Sequence, residues 1–317
     1  GGGITAMAFR DGVVVSGGRD GVAKVWALSG AAGRPGRPGR SGPALDLVDE
    51  LRAGSVVSSL AILESGSVWV ASLDGTLSRW DPVVSVVVDE EEGEDAPRGA
   101  EGAAWAAEAE EGSRVVRQLA TRVSLDNPVL CTAVDEARNL IACGLANGDA
   151  TLLRLDSGEP LCCWHAHADG ARTRAIAIAH GTVLTGGTDG TIRRRWLPGT
   201  GGEAVTAAED FTRMAKVDEL APPHNGAVVC LCPRADGIVV SGAHDGSLRV
   251  WDFAPASGGA PRCLYGLMGY KVWLGSVVTD GRRLISDGAD NRIIAHLFGG
   301  DDVDGTEQGP ADADDDD

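Results

Sequence analysis

"VVVSGGRDGVAKVW", residues 13–26, places an Asp-Gly pair between two short β-branched runs and closes the second on Trp. Asp-Gly between apolar runs is among the strongest short-range signals for a tight hairpin, because glycine takes the positive φ of the turn without a Cβ penalty. The phrase returns as "TVLTGGTDGTIRRRW" (182–196), "IVVSGAHDGSLRVW" (238–251) and "RLISDGADNRIIAH" (283–296). One Asp or Asn marks each copy: Asp20, Asp74, Asn147, Asp189, Asp245 and Asp290. A phrase repeated six times is architecture before it is chemistry.

The markers stand 54, 73, 42, 56 and 45 residues apart. The two shortest steps equal the roughly 40–45 residues of a four-stranded propeller blade. Insertions account for the longer steps: "GRPGRPGRSG" (33–42), the acidic run from 89, and "GTGGEAVTAAED" (199–210). Before each hairpin lies another apolar stretch, such as "VVSSLAIL" or "AVVCLC". After it a fourth follows in most copies: "ALDLVDEL", "RVVRQLATRV", "PLCCWH", "FTRMAKVDEL" and "RCLYGL". A small sheet of three or four strands cannot bury both faces alone, and stacking copies around an axis solves that. The fold expected is an all-β propeller of six recognisable blades over residues 1–300, with insertions at 31–43, 83–113 and 199–210 and a disordered acidic tail at 301–317.

In the fifth copy His224, Ser241, Asp245 and the Trp251–Asp252 pair stand at the spacings of a known pattern. Over residues 4–298 the sequence resembles the WD-repeat family of β-propellers. That resemblance implies a hydrogen-bonded structural tetrad of His224, Ser241, Asp245 and Trp251 within one blade. The spacing is physically sensible, since a buried indole N–H must find an acceptor and a turn Asp accepts nearby backbone N–H groups. The first copy keeps Ser16, Asp20 and Trp26 at the same spacing. Other copies depart: Val70 replaces the Ser, Trp196 comes one residue late, and Leu153 and His296 stand in for Trp.

The formal net charge of −18 belongs to two segments. Residues 89–111 hold ten acids and one Arg, residues 301–317 hold nine acids and no base, and the rest of the chain balances. Segments of that composition bury too little apolar area to offset ordering entropy. Within the first, "AAWAAEAEEG" (103–112) has helix propensity, with Trp105 as its lone anchor. No apolar run reaches the roughly 18 residues of a membrane helix, so no membrane partner is expected. Seven cysteines without a framework spacing suggest a reducing compartment, cytoplasmic or nuclear. Gly1 in place of Met suggests a fragment or a processed product.

Three clusters invite chemistry. "SGAHDG" (241–246) brings Ser, His and Asp together, but a nucleophile, base and orienting acid must converge in space, and neighbours on one turn rarely do. "CCWHAH" (162–167) could set His165 and His167 on one face of a strand as metal ligands; the duller reading makes one of them the blade's structural His. "GRPGRPGR" (33–40) carries Arg34, Arg37 and Arg40 on a Pro/Gly loop, without the interleaved aromatics of a nucleic-acid site. The expectation is no catalytic residue, no metal, no cofactor, no small-molecule substrate and no nucleic-acid partner.

The resemblance implies a non-catalytic scaffold that binds protein or peptide partners through the face where hairpin turns and the starts of the innermost strands cluster. The residue before each marker varies (Arg19, Leu73, Ala146, Thr188, His244, Ala289), which suits an asymmetric recognition surface. Partner-contacting candidates are Arg19, Leu73, Thr188 and His244, together with Lys271 and Trp273 near the last innermost strand. The substrate-recognising part of an F-box ubiquitin-ligase adaptor is the alternative, and a propeller enzyme the outside one. The last copy shows only three strands before the acidic tail. The expectation is therefore a six-bladed ring with a three-stranded last blade, or more chain, a seventh blade or the closing strand, before Gly1.

Overall fold

The computed structural model describes residues 3–29, 44–86, 113–198, 217–253, 260–268, 276–280, 282–287 and 293–297. All regular structure in them is β. Blade 1 comprises β1 (Ile4–Arg10), β2 (Val13–Gly18), β3 (Val22–Ser29) and β4 (Ala44–Arg52). Blade 2 comprises β5 (Val57–Ile62), β6 (Val68–Ser72), β7 (Thr76–Val86) and β8 (Ser113–Ser124). Blade 3 holds β9 (Val129–Asp135), β10 (Leu140–Leu145), β11 (Asp149–Arg154) and β12 (Pro160–His165). Blade 4 holds β13 (Thr173–Ala179), β14 (Thr182–Gly187), β15 (Ile192–Trp196) and β16 (Val217–Glu219). Blade 5 runs through β17 (Val228–Pro233), β18 (Ile238–Ala243), β19 (Ser247–Asp252) and β20 (Arg262–Met268). Blade 6 has β21 (Val277–Thr279), β22 (Arg283–Asp287) and β23 (Ile293–Leu297).

Each blade is an antiparallel meander in chain order, five of them four-stranded and the sixth three-stranded among the described residues. The innermost strands β1, β5, β9, β13, β17 and β21 follow one another side by side. This is a six-bladed β-propeller. Strand β7 continues through residues 83–86, into the range expected as insertion, where it pairs with the beginning of β8. The other insertions, the acidic run and the tail lie outside the described residues.

Alternation along each strand feeds the spaces between blades. Among the described residues five hydrophobic clusters are present, each joining two successive blades. Val13, Val15, Ala23 and Val25 of blade 1 meet Val57, Val68 and Val70 of blade 2. Further round, Leu184 and Ile192 of blade 4 meet Val228, Val239 and Trp251 of blade 5. The last cluster joins Val240, Leu248 and Val250 to Val277 and Leu284 of blade 6. Hydrophobic burial of roughly 25 cal/mol per Å² is therefore gained between blades, and each blade depends on its neighbours.

Polar ties supplement this near the axis. Thr5 Oγ1 donates to Val57 O at 2.5 Å, and the Ser59 and Thr132 hydroxyls meet at 2.8 Å. At the far end of the inner strands Arg10 of blade 1 pairs with Glu64 of blade 2 at 2.8 Å and also with Glu136 of blade 3. Glu136 in turn accepts the Glu64 backbone N–H at 2.8 Å. One guanidinium thus joins three blades.

Candidate interaction face

The hairpin turns share one construction. The glycine after each marker has φ between 71° and 89° (Gly21, Gly75, Gly148, Gly190, Gly246). A Cβ on Gly190 would lie 2.3 Å from the His224 carbonyl oxygen, so the residue must lack one for a steric reason as well as a conformational one. That carbon position is occupied because the following segment closes over the turn: His224 N–H donates to Gly190 O at 2.9 Å, and Leu125 N–H donates to Gly75 O at 2.8 Å.

The residue before each marker is held by its backbone. Arg19, Leu73, Ala146, Thr188 and His244 each donate N–H to the carbonyl at the start of their own blade's innermost strand, Gly3, Val56, Pro128, Arg172 and Ala227, at 2.9–3.1 Å. The main chain here does the same work in five blades, leaving the side chain free to differ. The turns and the inner-strand starts therefore share one end of the propeller. Arg19 and Thr188 are exposed, Leu73 is 39% exposed, and His244 is half-buried. The Thr188 hydroxyl is engaged, accepting the Arg172 N–H at 2.9 Å. Burial, followed by the nearby Arg174 charge, lowers the pKa of His244. Lys271, Trp273 and Ala289 lie outside the described residues.

The marker side chains turn inward to the backbone. Asp20, Asp74, Asn147, Asp189 and Asp245 each accept the N–H two residues on, at 2.9–3.2 Å, an Asx turn that fixes the hairpin. In blade 5 this turn is the end of a longer chain. Trp251 Nε1–H donates to Ser241 Oγ at 2.8 Å, and Ser241 meets His224 Nε2 at 2.8 Å. His224 Nδ1 lies 3.0 Å from Ser247 Oγ and 3.4 Å from Asp245 Oδ2. Burial, then the Arg249 charge, pushes the His224 pKa down to about 4 against the attraction of Asp245. Asp245 is shifted below its ordinary value: burial opposes the shift, and hydrogen bonds from Ser247 and Asn225 overcome it.

Blade 4 repeats half of this chain. His167 Nδ1 faces Asp189 Oδ1 and Thr191 Oγ1, both at 3.1 Å, so His167 is the structural His. His165 ends β12 and turns outward, to Asp149 at 2.9 Å and Asp169 at 3.4 Å. An extended strand would have set the two imidazoles on one face, but β12 stops at His165, between them. Among the described residues no group of three or more His, Cys, Asp or Glu side chains is placed to hold a metal. Trp196, one residue late, falls on the other side of the alternation; Arg194 stacks over it at 4.4 Å, and its N–H reaches Asp218 at 3.4 Å. In blade 1 Trp26 donates to Ser16 at 2.9 Å. In blade 2, where Val70 removes the Ser, Trp80 donates to Ser78 at 3.2 Å instead.

"SGAHDG" is not a catalytic triad. Ser241 is fully buried, its oxygen is shared by Trp251 and His224, and its sequence neighbour His244 belongs to the outer face.

Residues 218–252, spanning β16 to β19 and the whole tetrad, match the family model for the WD domain, G-beta repeat. The chain is a six-bladed β-propeller with one segment that matches a WD repeat. No curated protein matches its sequence. Among solved structures it is similar to the computationally designed Ika8 protein, seen in a crystal structure. The TM-score is 0.56 at 20% identity, over 93% of this chain and 84% of that one. The likeness speaks for the fold alone. WD-repeat propellers are typically protein-interaction scaffolds, generally non-catalytic, and generally bind proteins or peptides.

Proposed function

We propose that this propeller binds a protein or peptide across the end lined by Arg19, Leu73, Thr188 and His244. The observation that carries the reading is the fivefold repetition of one backbone tie beneath five different side chains. Constant main-chain geometry under varying side chains gives a rigid platform with a cation, an aliphatic, a hydroxyl and an imidazole at separate compass points. A rigid platform loses little conformational entropy on binding, and its asymmetry selects the orientation of the partner. Lys271 and Trp273 are proposed as further contacts; Trp is a frequent interface anchor.

The test is recovery of partners from native extract with the wild-type chain and with Arg19→Glu, Leu73→Asp and His244→Ala, singly and combined. The expected result is loss of one defined set of partners with melting temperatures unchanged. Recovery of the same partners by the combined variant would remove this face from consideration.

A further inference from the structure

The innermost strands of blades 1 to 5 share one irregularity. In β1, β5, β9, β13 and β17 the pairing with the next strand skips a residue. The ladder passes from Ile4 to Ala6, Val57 to Ser59, Val129 to Cys131, Thr173 to Ala175 and Val228 to Cys230. The skipped residues are Thr5, Ser58, Leu130, Arg174 and Val229, each the second of its strand. A bulge of this kind takes a side chain out of the ladder and re-aims it. Because these strands line the axis and start at the turn-lined end, the five side chains ring the mouth of the central channel. The corresponding residue of blade 6 lies outside the described residues.

Arg174 is the one charged member of this ring. Its strand neighbours are held by the adjoining blades. A Cβ on Gly144 of blade 3 would meet the Thr173 methyl at 2.7 Å, and Ala175 packs in the cluster shared with blade 5. Arg174 between them is exposed, and its charge reaches the Cys131 thiol of blade 3 and the His244 imidazole of blade 5. Elsewhere in the fold arginines are matched: Arg79, Arg193 and Arg194 each hold a carboxylate at 3.5 Å or closer. Among the described residues no carboxylate pairs with Arg174. The acids of the nearest hairpins are committed, since Asp189 and Asp245 accept backbone N–H groups and face His167 and His224.

We propose that the partner bound at this end carries an Asp or Glu whose carboxylate reaches the channel mouth and is taken by the Arg174 guanidinium. This rests on the reading that partners bind the turn-lined end. The planar guanidinium matches a carboxylate with two parallel N–H···O bonds, which are charge-assisted and directional. The ring offers one cation among two hydroxyls and two aliphatic side chains, so it balances a single negative charge rather than a phosphate dianion. Burial of Thr173 and Ala175 on either side fixes the backbone from which Arg174 projects, which lowers the ordering cost of binding.

The test presents the whole 317-residue chain with random peptides, acetylated and amidated, whose central position is Asp, Glu, Asn, Gln, Lys or phosphoserine. The wild-type chain should enrich peptides with Asp or Glu at that position over those with Asn or Gln. Arg174→Gln should weaken the selected peptides about tenfold or more and abolish the preference, with the melting temperature unchanged. Arg174→Glu should prefer Lys at the same position, a reversal that a merely structural role would not produce. Arg172→Gln, an exposed arginine outside the ring, should keep the acidic preference. Two outcomes overturn the anchor and leave the face standing. One is peptides that Arg19→Glu and Leu73→Asp release but that show no acidic preference; the other is a preference for phosphoserine over Asp. No enrichment at all, or enrichment that none of these variants alters, removes the face and the anchor together.

Discussion

The Ser241 hydroxyl stands 2.8 Å from both Trp251 Nε1 and His224 Nε2, accepting from the indole and bridging the outer part of blade 5 to the imidazole that caps it. His224 is itself tied through its backbone to Gly190 in blade 4. One side chain therefore couples the closing of a hairpin in one blade to the side-chain order of the next. Trp251 is fully buried in the cluster that holds Ala175, Ala177, Leu184 and Val239. Trp251→Ala should cost about 3–5 kcal/mol, the range for truncating a large buried aromatic. Trp251→Phe, which keeps packing but abandons the hydrogen bond, should cost about 1–3 kcal/mol. Urea unfolding of the two variants gives the comparison. Equal losses would mean that the hydrogen bond, not the packing, dominates.

The buried imidazoles make stability depend on pH. His224 titrates near 4 in the folded chain against an ordinary value of 6.5, because burial penalises its charged form first and Arg249 adds to that. Between those values the unfolded chain binds a proton that the folded chain refuses, so stability falls as pH drops through this window. His167 is shifted in the same direction, with burial again the leading cause. The loss from pH 7.5 to 5 should be on the order of 2 kcal/mol from His224 alone. His224→Gln should flatten that slope even though it lowers stability at pH 7.5. Below about 4 a second loss begins, as Asp189 and Asp245, held below the ordinary carboxylate value, take up protons.

Gly190→Ala tests the turn. The position needs φ of 79°, and an added Cβ would sit 2.3 Å from the His224 carbonyl oxygen, a backbone atom that cannot swing aside. A loss of more than about 1 kcal/mol is expected, beyond the strain of a left-handed non-glycine residue alone. Gly170→Ala is the control: its φ is 82°, but nothing lies within 4 Å of the added carbon. Thermal melts should rank Gly190→Ala well below Gly170→Ala.

The six-bladed architecture was legible because its signals are local. Asp-Gly with flanking alternation fixes a hairpin within about ten residues, and an Asx turn needs only the marker and the N–H two places on. The tetrad of blade 5 was legible for the same reason, since three of its four members lie on one hairpin. The choice between His165 and His167 was not, because it depends on where β12 ends. Trp80 finding Ser78 was readable in hindsight from the two-residue alternation of one strand. The exposure of Ile4 was not readable at all: Ile4 and Val228 are similar residues at the same register, and only the presence of a preceding blade separates 65% from 0%.

The junction of Arg10 with Glu64 and Glu136 is equally invisible in sequence, since its members lie 54 and 126 residues from the arginine. It also yields a test of how the inner strands cooperate. Arg10→Met keeps the aliphatic stem but leaves the Glu64 and Glu136 carboxylates without the cation they share, with Glu136 still bound to the Glu64 backbone. The side chain of Arg10 is about a third exposed, so the pair is partly screened by water, and exposed pairs contribute about 0–1 kcal/mol. A three-member network with a backbone acceptor, Ile62 O at 3.2 Å, should sit at or slightly above the top of that range. Arg10→Met should therefore cost about 1 kcal/mol at low salt, and Glu136→Gln in the same chain should recover part of it by removing the repulsion. Raising ionic strength should shrink the coupling measured by the double-mutant cycle. A coupling of zero at low salt would mean that Arg10 acts only through its contact with Ile62, and that blades 1 and 3 are joined only through blade 2.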